Sequence, residues 1–162
     1  MSAIVGIVGH DGRDGANSAQ SVATALDAMR RRGPDGTGTW IGESAALGYA
    51  HRISTTESVG EKQPVQDAGL TVVADARLDN RRELLRWLEL SPAATDGEII
   101  LHAFQKADLA CVDRLVGPFA FIVWHETARR LVCARDHQTL PATQLSRQPF
   151  RRPALEISFG LV

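Results

Sequence analysis

The chain has 162 residues, a length that suits one domain with a real hydrophobic core. Its 18 Lys and Arg against 19 Asp and Glu give a formal net charge of −1, so we expect neither nucleic acid nor an anionic membrane surface as a partner. The apolar runs are too short to cross a bilayer and the two cysteines lack metal or redox spacing, so we expect a reduced, cytoplasmic protein without a metal site.

The first predicted element is a strand at the start of the chain. Its apolar side chains fall on both faces, with Ala3, Val5 and Ile7 on one and Ile4 and Val8 on the other. This pattern is typical of a strand buried between two layers. Ser2 therefore lies at the edge of the core, where its amine and hydroxyl become candidates for chemistry once Met1 is removed.

Four further elements follow in the first half of the chain. Residues 18–31 predict a helix with Ser18 or Ser21 as its cap, ended by Arg32-Gly33-Pro34-Asp35. Residues 37–41 and 45–53 predict a strand pair, 54–67 a polar loop, and 70–74 another apolar strand.

The second half begins with two helices and ends in a hairpin. Asn80 and Thr95 are each followed three positions later by Glu, a capping-box pattern that predicts helices reaching about residues 90 and 106. Residues 118–125 and 130–135 predict a hairpin, and its first strand is again apolar on both faces. The order of elements favours an α+β fold with stacked sheets and outer helices.

Residues 138–162 differ in character from the rest. They contain three arginines against one glutamate and show weak periodicity. We interpret them as a tail, in which residues 150–162 are able to add one short strand.

Eight short motifs occur in the order and spacing of a known family. They are Ile4-Val5-Gly6-Ile7-Val8, Arg32-Gly33-Pro34-Asp35, residues 48–52, Gln63-Pro64, Arg82-Glu83-Leu84, Thr95-Asp96, Gly117-Pro118-Phe119-Ala120-Phe121 and Ala134-Arg135-Asp136-His137. Over residues 1–137 the chain resembles the N-terminal glutaminase domain of glutamine-hydrolysing asparagine synthetase, a class II glutamine amidotransferase of the Ntn-hydrolase fold.

The resemblance implies a four-layer αββα sandwich of two mainly antiparallel sheets. The two strands that are apolar on both faces agree with it. We expect a glutamine amidotransferase type 2-like domain over residues 1–137 and a divergent C-terminal tail over 138–162. Family members continue with another strand and a synthetase domain, so the resemblance also implies a fold that is C-terminally truncated here.

The chemistry of the family depends on the residue after the cleaved Met. A Cys thiolate attacks the side-chain amide of glutamine, and the α-amine of the same residue, with a pKa of about 7.7–8.0, moves the proton. An Asn-Gly pair forms the oxyanion hole, and an Arg, a Glu and an Asp hold the amino-acid end of glutamine. The ammonia released passes to the synthetase domain.

Three positions of this catalytic machinery are changed here. Ser2 stands at the nucleophile position, and a hydroxyl is a far weaker acid than a thiol of pKa about 8.5. Asp75 and Ala76 stand at the oxyanion-hole positions, and an ionised Asp75 has no N–H to offer. Losing one such donor typically costs about 10²–10³-fold in rate, or roughly 2.7–4 kcal/mol.

The substrate-binding positions are half retained. Arg52 matches the arginine that binds the substrate carboxylate, and Asp96 matches the aspartate that binds the substrate amino group. Thr55 falls on a position that lines the backbone of bound glutamine. Arg77 replaces a carboxylate and so reverses a charge. These changes favour a domain that no longer hydrolyses glutamine at a useful rate.

Three functions stay open. The first is an impaired domain that serves as a scaffold for a synthetase domain, as in β-lactam synthetases and lasso-peptide cyclases. The second is a live Ntn amidohydrolase that uses Ser2. The third is a non-enzymatic module that binds glutamine or a similar amino acid, or a partner, through Arg52 and Asp96, or forms a homo-oligomer.

No cofactor is expected in this chain. ATP and Mg belong to the family's synthetase domain, and no Ser-Gly-Gly-x-Asp-Ser loop occurs in the sequence. Structural roles are expected for several polar residues outside the predicted site. We interpret Asp35 as a turn residue, His51 as packed or paired, and Arg81, Arg82 and Arg86 as a solvated helix face.

Overall fold

Two β-sheets pack face to face in the structure, a computed structural model that describes residues 2–9, 15–136 and 154–159. The first sheet contains β1 (Ala3–Val8), β2 (Gly36–Ile41) and β3 (Ala45–His51) in the order β1-β3-β2, with both pairings antiparallel. The second contains β4 (Val65–Asp67), β5 (Leu70–Ala76), β6 (Phe119–His125), β7 (Arg130–Arg135) and β8 (Ala154–Phe159) in sequence order. Among the strands of the described residues, only β7 and β8 pair in parallel.

Helices cover the outer face of each sheet. Helix α1 (Gly15–Ala28) packs on the first sheet, while α2 (Arg81–Leu88) and α3 (Asp96–Ala107) lie on the side of the second. Two short 3₁₀ segments, Glu57–Gly60 and Asp108–Arg114, complete the elements. The order of layers is α1, first sheet, second sheet, α2 and α3, which confirms the predicted αββα sandwich.

Three apolar layers hold these four layers together. Ala3, Val22 and Leu26 belong to the layer between α1 and the first sheet. Leu47 and Trp124 belong to the layer between the two sheets, and a third layer lies between the second sheet and α3. The alternation along β1 is as predicted, because Val5 and Ile7 pack toward α1 whereas Ile4 and Val8 pack toward the second sheet.

The bounds of α1 and the cap of α2 differ from the sequence prediction, whereas the cap of α3 agrees with it. Helix α1 runs three residues earlier than predicted at both ends, so Ser18 is buried inside it and does not cap it. Thr95 and Glu98 form the predicted capping box at α3. Asn80 does not cap α2, because its side chain bonds the Arg114 carbonyl and the Val116 N–H. The predicted box was wrong there since tertiary partners outcompete the local one.

The predicted polar loop at residues 54–67 contains more structure than expected. It includes the 3₁₀ segment and β4, which pairs with the start of β5. Strand β5 extends two residues beyond the predicted range and so includes Asp75 and Ala76. Strand β8 lies within the range predicted to add a short strand. The remainder of the tail, with His137, lies outside the described residues.

The Arg32-Gly33-Pro34-Asp35 turn packs directly on β3. A Cβ at Gly33 would lie 2.2 Å from the carbonyl carbon of Ala50 and 2.3 Å from its oxygen. Only glycine therefore allows this approach of backbone to backbone.

We predict that Gly33→Ala lowers the free energy of unfolding by about 1–3 kcal/mol, because the clash is with backbone that is not free to move aside. Gly60→Ala is the matched control, since nothing lies within 4 Å of its added Cβ. Urea denaturation should place Gly60→Ala within about 1 kcal/mol of the parent. Equal stability of the two variants would contradict the packing described for this turn.

Candidate functional site

Ser2 lies at the mouth between the two sheets. Pairing of Ala3 with Ala50 sets it beside the end of β3, where the Arg52 N–H donates a 3.1 Å hydrogen bond to Ser2 Oγ. From the second sheet, Asp75 Oδ1 accepts a 2.9 Å hydrogen bond from the Ser2 N–H. Ser2 is 7% exposed. The structure thus brings Arg52 and Asp75 into hydrogen-bonding contact with Ser2.

A chain of hydrogen bonds leads from Ser2 into the core. Ser2 Oγ lies 3.2 Å from Tyr49 Oη, which in turn lies 2.7 Å from His51 Nδ1. All three side chains are buried. Burial raises the pKa of Tyr49 to about 12, although the hydrogen bond with Ser2 opposes this shift. Tyr49 is therefore a neutral phenol at ordinary pH, and His51 has the structural pairing role predicted for it.

Asp75 occupies the end of β5 as a hydrogen-bond acceptor. Burial raises the pKa of its carboxyl, and the hydrogen bond from Ser2 opposes that rise. As predicted, the carboxylate has no N–H to donate. It accepts a hydrogen bond from the backbone nitrogen of Ser2, the predicted nucleophile.

The backbone of Ala76 faces the same cleft. The N–H and C=O of Ala74 point away from β6, toward Gln63. Backbone groups alternate between the two sides of a strand, so those of Ala76 also point away from β6. The Ala76 N–H is therefore directed away from β6, whereas the preceding residue, Asp75, contributes a carboxylate.

Gln63 and Glu61 fasten this region together. The Gln63 amide makes two hydrogen bonds to the Ala74 backbone and a third, of 3.0 Å, to Glu61 Oε1. Glu61 in turn accepts the N–H groups of Gly97 and Asp96 at 3.0 and 3.3 Å, at the positive end of the α3 dipole. The first turn of α3 is therefore fixed to the strand that contains Asp75.

The predicted Arg52 is held by the Arg32-Gly33-Pro34-Asp35 turn. Its Nε and Nη2 donate to the carbonyls of Arg32 and Arg31 at 2.9 and 3.1 Å. Asp35 Oδ2 accepts the Ile53 N–H at 2.8 Å, which is the turn role predicted for Asp35. These contacts fix the guanidinium at the mouth of the cleft.

Asp96 already has a cationic partner. Arg81 Nη1 donates to Asp96 Oδ1, and Arg81 Nη2 donates to the carbonyl of Ala94. The Arg81 and Asp96 side chains are only 17% and 14% exposed. Arg81 was predicted to lie on a solvated helix face, and for this residue that prediction was wrong.

The predicted site residues line two adjoining clefts that share Asp96. The Ser2 cleft, whose walls include Ser2, Tyr49, Arg52, Asp75, Ala76 and Asp96, has a volume of about 20 Å³. That is room for about one water molecule. The arginine cleft, whose walls include Thr55, Arg77, Arg81, Arg82, Arg86 and Asp96, has about 840 Å³. Thr55 and Arg77 therefore line the arginine cleft, whereas Ser2 lines the other.

Other candidate chemistry is confined to the core. Burial raises the pKa of Cys111 to about 12 and that of Cys133 to about 11, so both buried thiols stay protonated at neutral pH. Among the described residues, no cluster of three His, Cys, Asp or Glu side chains is arranged to hold a metal ion. None of the described helices is both long and apolar enough to traverse a bilayer.

Comparison with known proteins decides the family. The profile of the glutamine amidotransferase domain family matches residues 1–141. The chain belongs to this family.

The relatives of this glutamine amidotransferase domain include synthetases. It is 31% identical over 118 residues to asparagine synthetase [glutamine-hydrolyzing] 3 of Bacillus subtilis, covering 68% of this chain and 19% of that protein. It is 32% identical over 130 residues to a putative asparagine synthetase [glutamine-hydrolyzing] of Mycobacterium tuberculosis, covering 71% and 20%. It is 31% identical over 120 residues to amidase chry2 of Gibberella zeae, covering 70% and 18%. The chain spans about a fifth of the length of these relatives.

Sequence reasoning missed three residues of this amidotransferase site. The position of Tyr49 could have been predicted from the sequence. In a strand every second side chain lies on the same face, so Tyr49 and His51 share the face of β3 that packs on the second sheet. Glu61 and Arg81 could not have been predicted in this way, since their contacts with Asp96 span 35 and 15 residues and follow no local period.

The burial of Tyr49 has a direct spectroscopic test, because the chain contains a single tyrosine. We predict that tyrosinate absorbance of the folded amidotransferase domain appears with a midpoint near pH 12, and near pH 10.0 in concentrated urea. Since the pKa is raised on folding, Tyr49 stabilises the fold fully below pH 10.0, and this stabilisation is lost as the pH rises toward 12.

Circular dichroism recorded in the same titration serves as the control for unfolding. A folded protein with a tyrosinate midpoint near 10 would contradict the burial of the Tyr49 side chain between the sheets.

Proposed function

We propose that this chain is a glutamine amidotransferase domain of the asparagine synthetase type whose glutaminase activity is impaired, and that it serves as a scaffold for a synthetase domain. The observation that carries the proposal is the 2.9 Å hydrogen bond between the Ser2 nitrogen and the Asp75 carboxylate.

The first argument concerns the proton. In the family mechanism the α-amine of the nucleophilic residue accepts the proton of the nucleophile. A carboxylate beside an amine stabilises the ammonium form and raises the pKa of the amine. Near neutral pH the amine is then already protonated and has no free lone pair to accept a proton. After removal of Met1, Asp75 would impose this state on the Ser2 amine. The serine hydroxyl, which needs a base more than a thiol does, would then have none.

The second argument concerns the developing negative charge. A tetrahedral intermediate at Ser2 requires hydrogen-bond donors where its oxyanion forms. The Ala76 backbone supplies one donor on the cleft side. Asp75, by contrast, presents a carboxylate in a partly buried position, where the repulsion between two anions is stronger than in water. Even if the substrate bound, the transition state would be poorly stabilised.

The third argument concerns access. The Ser2 cleft is about 20 Å³, whereas clefts that bind small molecules measure about 300–1,000 Å³. The groups around Ser2 are already hydrogen-bonded to it. The Arg52 N–H and the Tyr49 hydroxyl contact the Ser2 hydroxyl, and Asp75 accepts the Ser2 N–H. They now tie β1 to both sheets, which is a structural role.

The scaffold role follows from what is retained. The four layers and their three apolar cores are present. The positions that the resemblance assigns to the nucleophile and the oxyanion hole, in contrast, have Ser2, Asp75 and Ala76. In the matched synthetases this domain is about a fifth of the protein. We propose that the domain acts beside such a synthetase part, on the same or a separate chain, and that ATP and Mg bind there and not to the residues described here.

The test is ammonia release from glutamine. We predict that the protein releases no more ammonia than Ser2→Ala. A variant that combines Ser2→Cys, Asp75→Asn, Ala76→Gly and Arg77→Glu should release more than both. It restores the thiol, the oxyanion donors and the protein carboxylate that binds the substrate ammonium. Mass spectrometry of the N-terminus establishes whether Met1 has been removed from each sample.

Release by the parent protein that is abolished in Ser2→Ala would overturn the proposal and identify a live amidohydrolase that uses Ser2. Calorimetric binding of glutamine without turnover would instead support an amino-acid-binding module.

A further inference from the structure

The arginine cleft has the size of a ligand site, and its charges are not explained by glutamine hydrolysis. At about 840 Å³ it falls within the range of clefts that bind small molecules. Four guanidinium groups, of Arg77, Arg81, Arg82 and Arg86, face three carboxylates, of Asp79, Glu83 and Asp96. The cleft therefore has an excess of positive charge, although the whole chain is slightly negative.

Two of the four arginines are paired within the cleft. Arg77 binds Asp79 through two hydrogen bonds of 2.9 and 3.2 Å, a fork-to-carboxylate geometry, and this contact raises the pKa of Arg77 and lowers that of Asp79. Arg81 binds Asp96. These two pairs leave one carboxylate of the cleft, that of Glu83, beside the guanidinium groups of Arg82 and Arg86.

The other two arginines have no such partner in the part of the chain that the structure describes. Arg82 and Arg86 are exposed and form no ion pair or side-chain hydrogen bond there. They stand one turn apart on α2, so their Cβ atoms are about 5–6 Å apart. Two forks at this spacing are suited to one phosphate group or to two neighbouring carboxylates.

The end of α2 adds to the positive potential. Asn80, at the cap position, makes no capping hydrogen bond because its side chain is engaged by Arg114 and Val116. The N-terminus of α2 lines the cleft, so its positive dipole end adds to the potential there, and Glu83 in the first turn offsets part of it.

A cationic group is disfavoured at the same place. The family resemblance expects a carboxylate at position 77, where the ammonium of glutamine is held, and Arg77 stands there instead. The other carboxylate of that expected site, Asp96, is bonded to Arg81. An ammonium entering the cleft would meet four guanidinium groups against three carboxylates, two of which are already paired with arginines. An oxyanion would meet the exposed guanidinium groups of Arg82 and Arg86.

We propose that the arginine cleft binds a small, multiply charged anion that contains a phosphate or at least two carboxylates, and that it discriminates against the amino-acid end of glutamine. Arg82 and Arg86 are the principal ligands, and Arg77 determines the specificity. The inference deepens the proposed function at the substrate end of the site, but it does not depend on whether Ser2 is catalytic.

The test is titration calorimetry of the full chain with pyrophosphate, citrate and glutamine at low ionic strength. We expect saturable one-to-one binding of pyrophosphate or citrate, with the stronger of the two identifying phosphate or carboxylate as the preferred group. Added sodium chloride should weaken this binding. Glutamine should bind at least about tenfold more weakly than the preferred anion.

Matched variants locate the site. Arg82→Gln with Arg86→Gln should weaken anion binding at least about tenfold, because charge-assisted hydrogen bonds are lost. Arg129→Gln, which removes an exposed arginine in the β6–β7 hairpin turn and so lies outside the cleft, should leave it unchanged. Arg77→Glu should weaken anion binding and strengthen glutamine binding. Circular dichroism shows whether each variant is folded.

Three results would overturn the inference: no saturable binding of either anion, equal weakening in Arg129→Gln, or glutamine binding as tight as that of the anions. Ammonia assayed on the same samples tests the proposed function separately. Anion binding together with ammonia release would leave this inference standing and remove the other proposal.

Discussion

The hydrogen bonds of Ser2 are the constraint on which the rest of the site depends. One residue connects both sheets, because Arg52 and Tyr49 approach its hydroxyl from β3 while Asp75 accepts its N–H from β5. The residue before β1 is thereby fixed to both sheets. The apolar side chains that alternate along β1 pack toward α1 on one face and toward the second sheet on the other. In the family mechanism the polar atoms of residue 2 have to be free for chemistry, so a site that uses them for packing gains rigidity at the expense of reactivity.

The changes around Ser2 form a consistent electrostatic pattern. By the resemblance, Asp75 stands where an amide is expected and Arg77 where a carboxylate is expected, so both positions differ in charge from the family pattern. Asp96, the expected amino-binding aspartate, is bonded to Arg81 across 15 residues. The Ser2 cleft and the arginine cleft share this one carboxylate.

Much of the architecture was readable before any coordinates. The two-faced apolar pattern of β1 and β6 predicted strands between layers, and the motif order predicted the αββα sandwich. The box at Thr95 was correct because the groups that satisfy it lie within one helical turn. The box at Asn80 was wrong because partners from residues 114 and 116 compete for its side chain. Local patterns succeed where the competing contacts are also local.

By itself the sequence determined the fold class, the buried strands, and the identities of Ser2, Asp75 and Arg77 at positions where the resemblance expects other residues. Only the tertiary structure decided that Asp75 binds the Ser2 nitrogen, that Arg81 is bonded to Asp96, and that Thr55 and Arg77 belong to a separate cleft from Ser2. The reason is physical. Periodicity and capping are set by backbone geometry over a few residues, whereas charge pairing and cleft volume depend on which distant side chains the packed sheets bring together.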